Sequence, residues 1–199
     1  MQEFAIGAAP GKALHRKQVY IVHGYTARPT DHWFPWLQER LAADGVAVEV
    51  LAMPDPDQPV AADWDAFLAS HAARRDVDSF FVAHSLGCIG VVRHLLKTGV
   101  RCGGVVLVAG FAEPAPGLAE LDGFVAGVDG IEGLRDTIGE RVVIAARDDE
   151  AVPYEATRRL AERLDARFVT VEKGGHFLGR EGFTEFPLVY SYLSAMLEV

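Results

Sequence analysis

The sequence has few cysteines, a shortage of basic residues and no long apolar run. Two cysteines, Cys88 and Cys102, cannot build the disulfide framework of a small secreted domain, so they indicate a reducing compartment. Lys and Arg number 19 against 28 Asp and Glu, and a net charge of −9 disfavours non-specific binding to phosphate backbones. Residues 1–16 contain no signal-peptide pattern, and no segment reaches the roughly 20 apolar residues of a membrane helix. We therefore expect a cytoplasmic protein with neither a nucleic-acid nor a membrane partner.

The length and composition are those of one globular domain. A chain of 199 residues corresponds to about one domain at roughly 150 residues each. Half of the residues are hydrophobic, which excludes a disordered protein. The first 17 residues are rich in Ala and Gly and are predicted to be a loosely ordered lead-in. The single domain is therefore assigned to residues 18–199.

After the lead-in, short apolar runs alternate with segments whose apolar residues recur every three or four positions. The runs are typical of strands buried on both faces, and the spaced segments are typical of amphipathic helices. The predicted strands are 19–22, 46–53, 80–83, 105–108, 142–145 and 168–171. The predicted helices are Trp33 to Leu41 with Thr30 or Asp31 as cap, 63–75, 86–97, 130–138, 153–164 with Pro153 in the first turn, and 187–197. This alternation predicts an α/β fold with a mainly parallel sheet of about six strands and helices on both faces.

Segments with candidate catalytic residues follow four of the predicted strands. They are 23–25 (His-Gly-Tyr), 84–86 (His-Ser-Leu), 148–149 (Asp-Asp) and 174–176 (Gly-Gly-His). Ligands of parallel α/β sheets bind beyond the carboxyl ends of the strands, so we expect these segments to meet at one edge of the sheet.

The segment from Ala83 to Gly87 reads Ala-His-Ser-Leu-Gly between a predicted strand and a predicted helix. It is similar to the nucleophile elbow G-x-S-x-G of α/β-hydrolases, with Ala83 in place of the first glycine. A tight turn there exposes the serine hydroxyl above the sheet. Ser85 is therefore the candidate nucleophile, although a serine in this position can also serve only as the N-cap of the helix.

The chain order after Ser85 completes a candidate catalytic triad. In α/β-hydrolases the order is serine, then acid, then histidine, and here the adjacent Asp148 and Asp149 follow one strand and His176 follows the last. A serine hydroxyl becomes a nucleophile when a histidine takes its proton, and a carboxylate fixes the tautomer of that histidine. Singly, each residue also suits a turn or a loop; together they predict a triad.

The negatively charged oxygen that forms during acyl transfer needs two backbone N–H donors. Leu86 directly follows the candidate nucleophile, and this position in the elbow predicts that its N–H is one of the two donors. The second is expected from the loop after an earlier strand, and Tyr25 after Gly24 fits, with Gly24 allowing the turn. The same residues at 23–24 are also typical of an ordinary turn that has no part in catalysis.

Taken together, these segments resemble the retinoblastoma-binding-protein-nine-type serine hydrolases. The similar segments are 22–26, 31–37, 53–56, 84–87, 148–149 with Val152-Pro153, and 175–177. The resemblance implies a small α/β-hydrolase with little or no lid and esterase- or peptidase-like activity on small substrates. It also implies that Asp149 is the acid, because Asp149 to Pro153 resembles the D-x-x-V-P run that the acid begins in that family. The family name records a protein-binding role of one member. The L-x-C-x-E motif for that binding is absent from this sequence, so we do not assign the role to this chain.

We therefore predict a serine hydrolase that transfers the acyl group of a small-molecule ester, thioester or amide to water. Ser85, Asp149 and His176 form the triad, and the N–H groups of Tyr25 and Leu86 form the oxyanion hole. No cofactor is expected, and the histidines lack the spacing of metal ligands. The alternative is a binding protein on a hydrolase scaffold with a vestigial or slow triad. The oligomeric state is left open.

Overall fold

The computed structural model describes residues 16–72, 74, 76–114 and 117–198. The lead-in predicted for residues 1–17 lies outside the described residues, apart from its last two positions. Among the described helices, none is long and apolar enough to cross a membrane. Both cysteines are free thiols and both are buried.

One parallel sheet organises the described chain. Its strands are β1 (Gln18–Val22), β2 (Ala47–Leu51), β3 (Ser79–His84), β4 (Cys102–Val108), β5 (Ile138–Ala146) and β6 (Arg167–Val171). The spatial order is β2-β1-β3-β4-β5-β6, and every neighbouring pair is parallel. The prediction of a parallel sheet of six strands is therefore confirmed. Each predicted strand overlaps an observed one because the sheet is covered on both sides, which favours apolar runs, most completely in the central strand β3.

Helices cover both faces of the sheet. They are α1 (Phe34–Ala43), α2 (Ala61–His71), α3 (Leu86–Thr98), the short α4 (Asp122–Val125), α5 (Tyr154–Leu164) and α6 (Pro187–Leu197). Val19 and Ile21 pack on the side of α1 and α6, whereas Tyr20 and Val22 pack on the side of α2, α3 and α5. Successive side chains of a strand point to opposite faces, so one short strand contributes to both cores.

Several predicted helix ends are wrong. Helix α1 begins after Trp33 with no side-chain cap, and Asp31 instead accepts the backbone N–H of Arg28 at 2.7 Å. Pro153 is the N-cap of α5 and not a residue of its first turn. The helix predicted over 130–138 is a 3₁₀ helix, Ile131–Asp136, in which Gly133 disfavours an α-helix. The predicted helix over 63–75 ends at His71.

The segment between β4 and β5 is held to α3 by a buried arginine. Arg93, 6% exposed, donates from its guanidinium to the backbone oxygens of Phe124 and Ala126 and to the carboxylate of Asp65. Lys97 donates to the same carboxylate at 2.5 Å. Burial raises the pKa of Asp65, but the hydrogen bonds from Arg93 and Lys97 outweigh burial and lower the pKa overall. The ionised form is therefore favoured in the folded state.

Replacing Asp65 with Ala should destabilise the fold by about 3 kcal/mol, because it leaves the Arg93 guanidinium buried without its carboxylate. A lowered pKa means that this contribution is present above the ordinary pKa of 3.8 and is lost as the pH falls through the lowered value. Urea unfolding of both proteins at neutral and acidic pH measures the difference. The control is Asp57→Ala, which breaks an exposed ion pair with Arg28 and should cost less than about 1 kcal/mol. Equal losses in the two variants would contradict the role of burial.

Candidate active site

The turn that carries Ser85 is strained and tightly packed. Ser85 has φ 54° and ψ −122°, a backbone conformation that non-glycine residues rarely adopt. A Cβ on Gly87 would lie 2.4 Å from the carbonyl oxygen of Val22, and one on Gly24 would lie 2.8 Å from Cβ of Ser85. The two glycines therefore let the end of β1 approach the turn after β3. Gly24 does not have a positive φ, so close approach, and not the predicted turn, requires a glycine there.

A chain of hydrogen bonds joins the three predicted triad residues. Nε2 of His176 lies 2.9 Å from Oγ of Ser85, and Nδ1 lies 2.8 Å from Oδ2 of Asp149. The carboxylate can only accept, so Nδ1 carries the proton and Nε2 is free to accept from the serine hydroxyl. The side chains of His176 and Asp149 are 11% and 2% exposed. The acid is therefore shielded from water, while the imidazole lines an open cleft.

The neighbouring aspartates make different contacts. Besides His176, Asp149 accepts the N–H groups of Ala151 and Val152 through Oδ1, both at 2.9 Å. Asp148 accepts the N–H groups of Gly174 and Gly175, at 2.8 and 2.9 Å. These two bonds lower the pKa of Asp148. Asp149 thus faces the imidazole, and Asp148 ties the end of β5 to the loop after β6.

The two predicted oxyanion donors are the backbone N–H groups of Leu86 and Tyr25. Leu86 is the first residue of α3, so its N–H has no acceptor within the helix. In the described part of the chain no acceptor is found for the N–H of Tyr25 either. Tyr25 and Ser85 line the same cleft. Both donors stay predictions for this role.

Sequence reasoning missed the contribution of His23, which it treated as part of a turn. Its Nε2 accepts the N–H of Met53 at 3.1 Å, which leaves the proton on Nδ1, and Nδ1 donates to the carbonyl oxygen of Gly24 at 2.9 Å. Because a peptide unit is planar and trans, fixing that carbonyl also fixes the N–H of Tyr25 on its other side. Burial lowers the pKa of His23, which keeps the imidazole neutral.

Three further side chains hold the loop that carries His176. His84 donates from Nε2 to the carbonyl oxygen of His176 at 2.8 Å, and His32 accepts the N–H of Gly179 through Nδ1 at 3.0 Å. Burial lowers the pKa of both histidines, that of His84 well below its ordinary value. Glu181 accepts two backbone N–H groups of the loop. His84 and His32 stood in segments that the sequence marked, but none of the three was assigned a role.

The cleft above Ser85 has a volume of about 350 Å³. One part of its wall is apolar and comprises Leu118, Leu121, Val152 and Leu178. Another part is polar and comprises Asp31, His32 and Arg180. The segment between β4 and β5 contributes Leu118 and Leu121, and the residues that the structure describes form no large cap over the site. The cleft accommodates a small molecule.

Fold and sequence comparisons agree on the class of protein. The serine hydrolase family model matches residues 19–195, so the chain belongs to that family and is a hydrolase. Among named relatives, YdeN of Bacillus subtilis (strain 168) is 44% identical over 181 residues, which cover 90% of this chain and 95% of YdeN. The family prediction is therefore confirmed at the level of serine hydrolases. The narrower retinoblastoma-binding-protein-nine type is not confirmed, since the named relative is YdeN.

Solved structures give the same result for the fold. The crystal structure of the ydeN gene product from B. subtilis superposes with a TM-score of 0.87 at 42% identity, covering 92% of this chain and all of that one. Est1E from Butyrivibrio proteoclasticus gives a TM-score of 0.68 at 18% identity and covers 92% of this chain and 89% of its own. The predicted α/β-hydrolase fold is confirmed.

Asp149→Asn should lower kcat for an ester by about 10⁴, because the amide no longer fixes the imidazole tautomer that accepts from Ser85. Asp148→Asn should lower kcat far less, and its main effect should be a lower melting temperature. Hydrolysis of one 4-nitrophenyl ester by the two variants, with circular dichroism as the folding control, compares them. If Asp148→Asn were the inactive variant, the assignment of the acid would be wrong.

Proposed function

We propose that the protein hydrolyses small carboxylic esters or amides by way of an acyl-enzyme on Ser85. The observation that supports this proposal most directly is the chain of hydrogen bonds from Ser85 through His176 to Asp149, in which each group has the donor or acceptor that the reaction needs. Thioesters have the same reactive carbonyl and belong to the same proposal.

In the proposed mechanism, Nε2 of His176 takes the proton of Ser85 as Oγ attacks the substrate carbonyl. The developing oxyanion accepts hydrogen bonds from the N–H groups of Tyr25 and Leu86. His176 then protonates the leaving group, and an acyl-enzyme remains on Ser85. A water molecule, deprotonated by the same imidazole, attacks that ester and releases the acid. No step requires a cofactor.

The surroundings of Asp149 suit its proposed part. Asp149 accepts two backbone N–H groups through Oδ1 and the imidazole N–H through Oδ2, so its carboxylate is held facing His176. It stabilises the imidazolium that forms when Ser85 loses its proton, and it does not need to take that proton itself.

The cleft supports the proposed substrate class. A volume of about 350 Å³ with an apolar wall suits a short acyl chain, and with no large cap among the described residues the leaving group would lie in solvent. We propose a small-molecule acyl substrate as the partner. We also keep the cytoplasm as the proposed compartment, because Cys88 and Cys102 are free thiols.

Replacing Ser85 with Ala should lower kcat by about 10⁶, because the reaction loses its nucleophile. A fluorophosphonate probe should label the wild-type protein and fail to label the variant. Ser70→Ala, which changes an exposed serine of α2, is the matched control and should keep both activity and labelling. If a folded Ser85→Ala protein kept its esterase activity, Ser85 would not be the nucleophile and the proposed mechanism would be wrong. If the wild type were neither labelled nor active, the binding-protein alternative would replace this proposal.

We expect kcat/KM to rise with pH across the region in which a histidine loses its proton, roughly pH 5 to 8. The protonated imidazole cannot accept the proton of Ser85, so activity is lost on the acid side. Initial rates with a neutral ester at low substrate concentration, with the melting temperature followed at each pH, measure the profile. A flat profile across this range would contradict His176 as the general base.

A further inference from the structure

The loop after β6 places the imidazole of His176 between Ser85 and Asp149, and one exposed carboxylate organises that loop. Glu181 is the last residue of the 3₁₀ helix Gly179–Glu181, and Leu178 is the N-cap of that helix. Oε2 of Glu181 accepts the N–H of Leu178 at 2.9 Å, the bond that a glutamate makes in a capping box.

The same oxygen makes a second bond that capping does not require. Oε2 accepts the backbone N–H of His176, also at 2.9 Å. The carboxylate therefore reaches back over five residues and closes a ring that contains His176. A hydrogen bond to an ionised acceptor is roughly twice as strong as a neutral one, so the pair of bonds restrains the loop effectively.

Glu181 is exposed as a residue, but its carboxylate is folded back against the loop. A Cβ on Gly175 would lie 2.7 Å from Cδ of Glu181, so a glycine at this position lets the carboxylate sit directly against the backbone. On the other side of the loop, His84 holds the carbonyl oxygen of His176 at 2.8 Å. Contacts to the backbone on both sides thus fix the residue that carries the imidazole.

We propose that Glu181 is a positioning residue for catalysis, which sets the distance of the His176 imidazole from Ser85 through the His176 N–H. This inference rests on the proposed function. Catalytic groups must be held within about 0.5 Å of their productive positions, and a displacement of 1 Å costs about 100-fold in rate. Glu181 touches neither the substrate nor the reacting atoms.

The variants Glu181→Ala, Glu181→Asp and Glu181→Gln separate geometry from charge. Alanine removes the acceptor and aspartate shortens its reach, so both should lower kcat by about 10- to 100-fold. Glutamine keeps an acceptor oxygen at the same reach without the charge, so its kcat should stay within about threefold of the wild type. KM should change less than kcat, by about threefold at most, because Glu181 itself does not line the cleft. Glu185→Ala, at an exposed carboxylate four residues further on, is the matched control and should behave as the wild type.

The experiment measures kcat and KM on a 4-nitrophenyl ester, together with titration of competent serines by a fluorophosphonate. A purely structural role for Glu181 would lower the fraction of titratable serines and leave kcat per titrated site unchanged, and that result would overturn the inference. Wild-type kcat per site in Glu181→Ala, or a glutamine variant as slow as the alanine variant, would also overturn it. A wild-type protein that neither turns over the ester nor reacts with the probe would instead overturn the proposed function, and this inference with it.

Discussion

The close approach of β1 to the turn after β3 is the contact on which the site depends. The carbonyl oxygen of Val22 occupies the space that a side chain at position 87 would need, and Gly24 lies against Cβ of Ser85. The contact places the end of β1 beside the strained turn at Ser85, and Tyr25 and Ser85 line the same cleft. Strain of this kind persists because the surrounding packing fixes it, and here the sheet and helix α3 do so. The order of strands, in which β1 and β3 are neighbours, makes the contact possible.

The strands and the fold class could be predicted from the sequence because burial on both faces leaves a strong signal. Runs such as Val19 to Val22 have no alternative to the interior of a covered sheet. Helix starts were less predictable. A side-chain cap was expected at Thr30 or Asp31, but the turn before α1 uses Asp31 for the N–H of Arg28. Local hydrogen bonds within a turn compete with capping, and residue types alone do not tell which of them forms.

The residues of the candidate site also differ in whether the sequence could predict them. Ser85, Asp149 and His176 could be found because each follows a strand and each residue type has a defined chemical part. His23, His84 and Glu181 could not, because each acts on a backbone group of a neighbouring loop and any polar residue type could make such a bond. The choice between Asp148 and Asp149 came from the resemblance of Asp149 to Pro153 to the D-x-x-V-P run of the family. In the structure Asp149 faces the imidazole, while Asp148 holds the glycines before it.

The segment between β4 and β5 has a consequence for how this scaffold can acquire new specificities. Its residues Leu118 and Leu121 form part of the cleft wall, while Arg93 anchors it to α3 at a point away from the triad. We therefore expect changes around Leu118 and Leu121 to alter the cleft wall and to leave the hydrogen bonds among Ser85, His176 and Asp149 in place. An insertion between the anchor and the cleft would grow into a lid, and a deletion would open the cleft further. The residues that would set the size of an accepted substrate are thus different from the residues proposed to carry out the reaction.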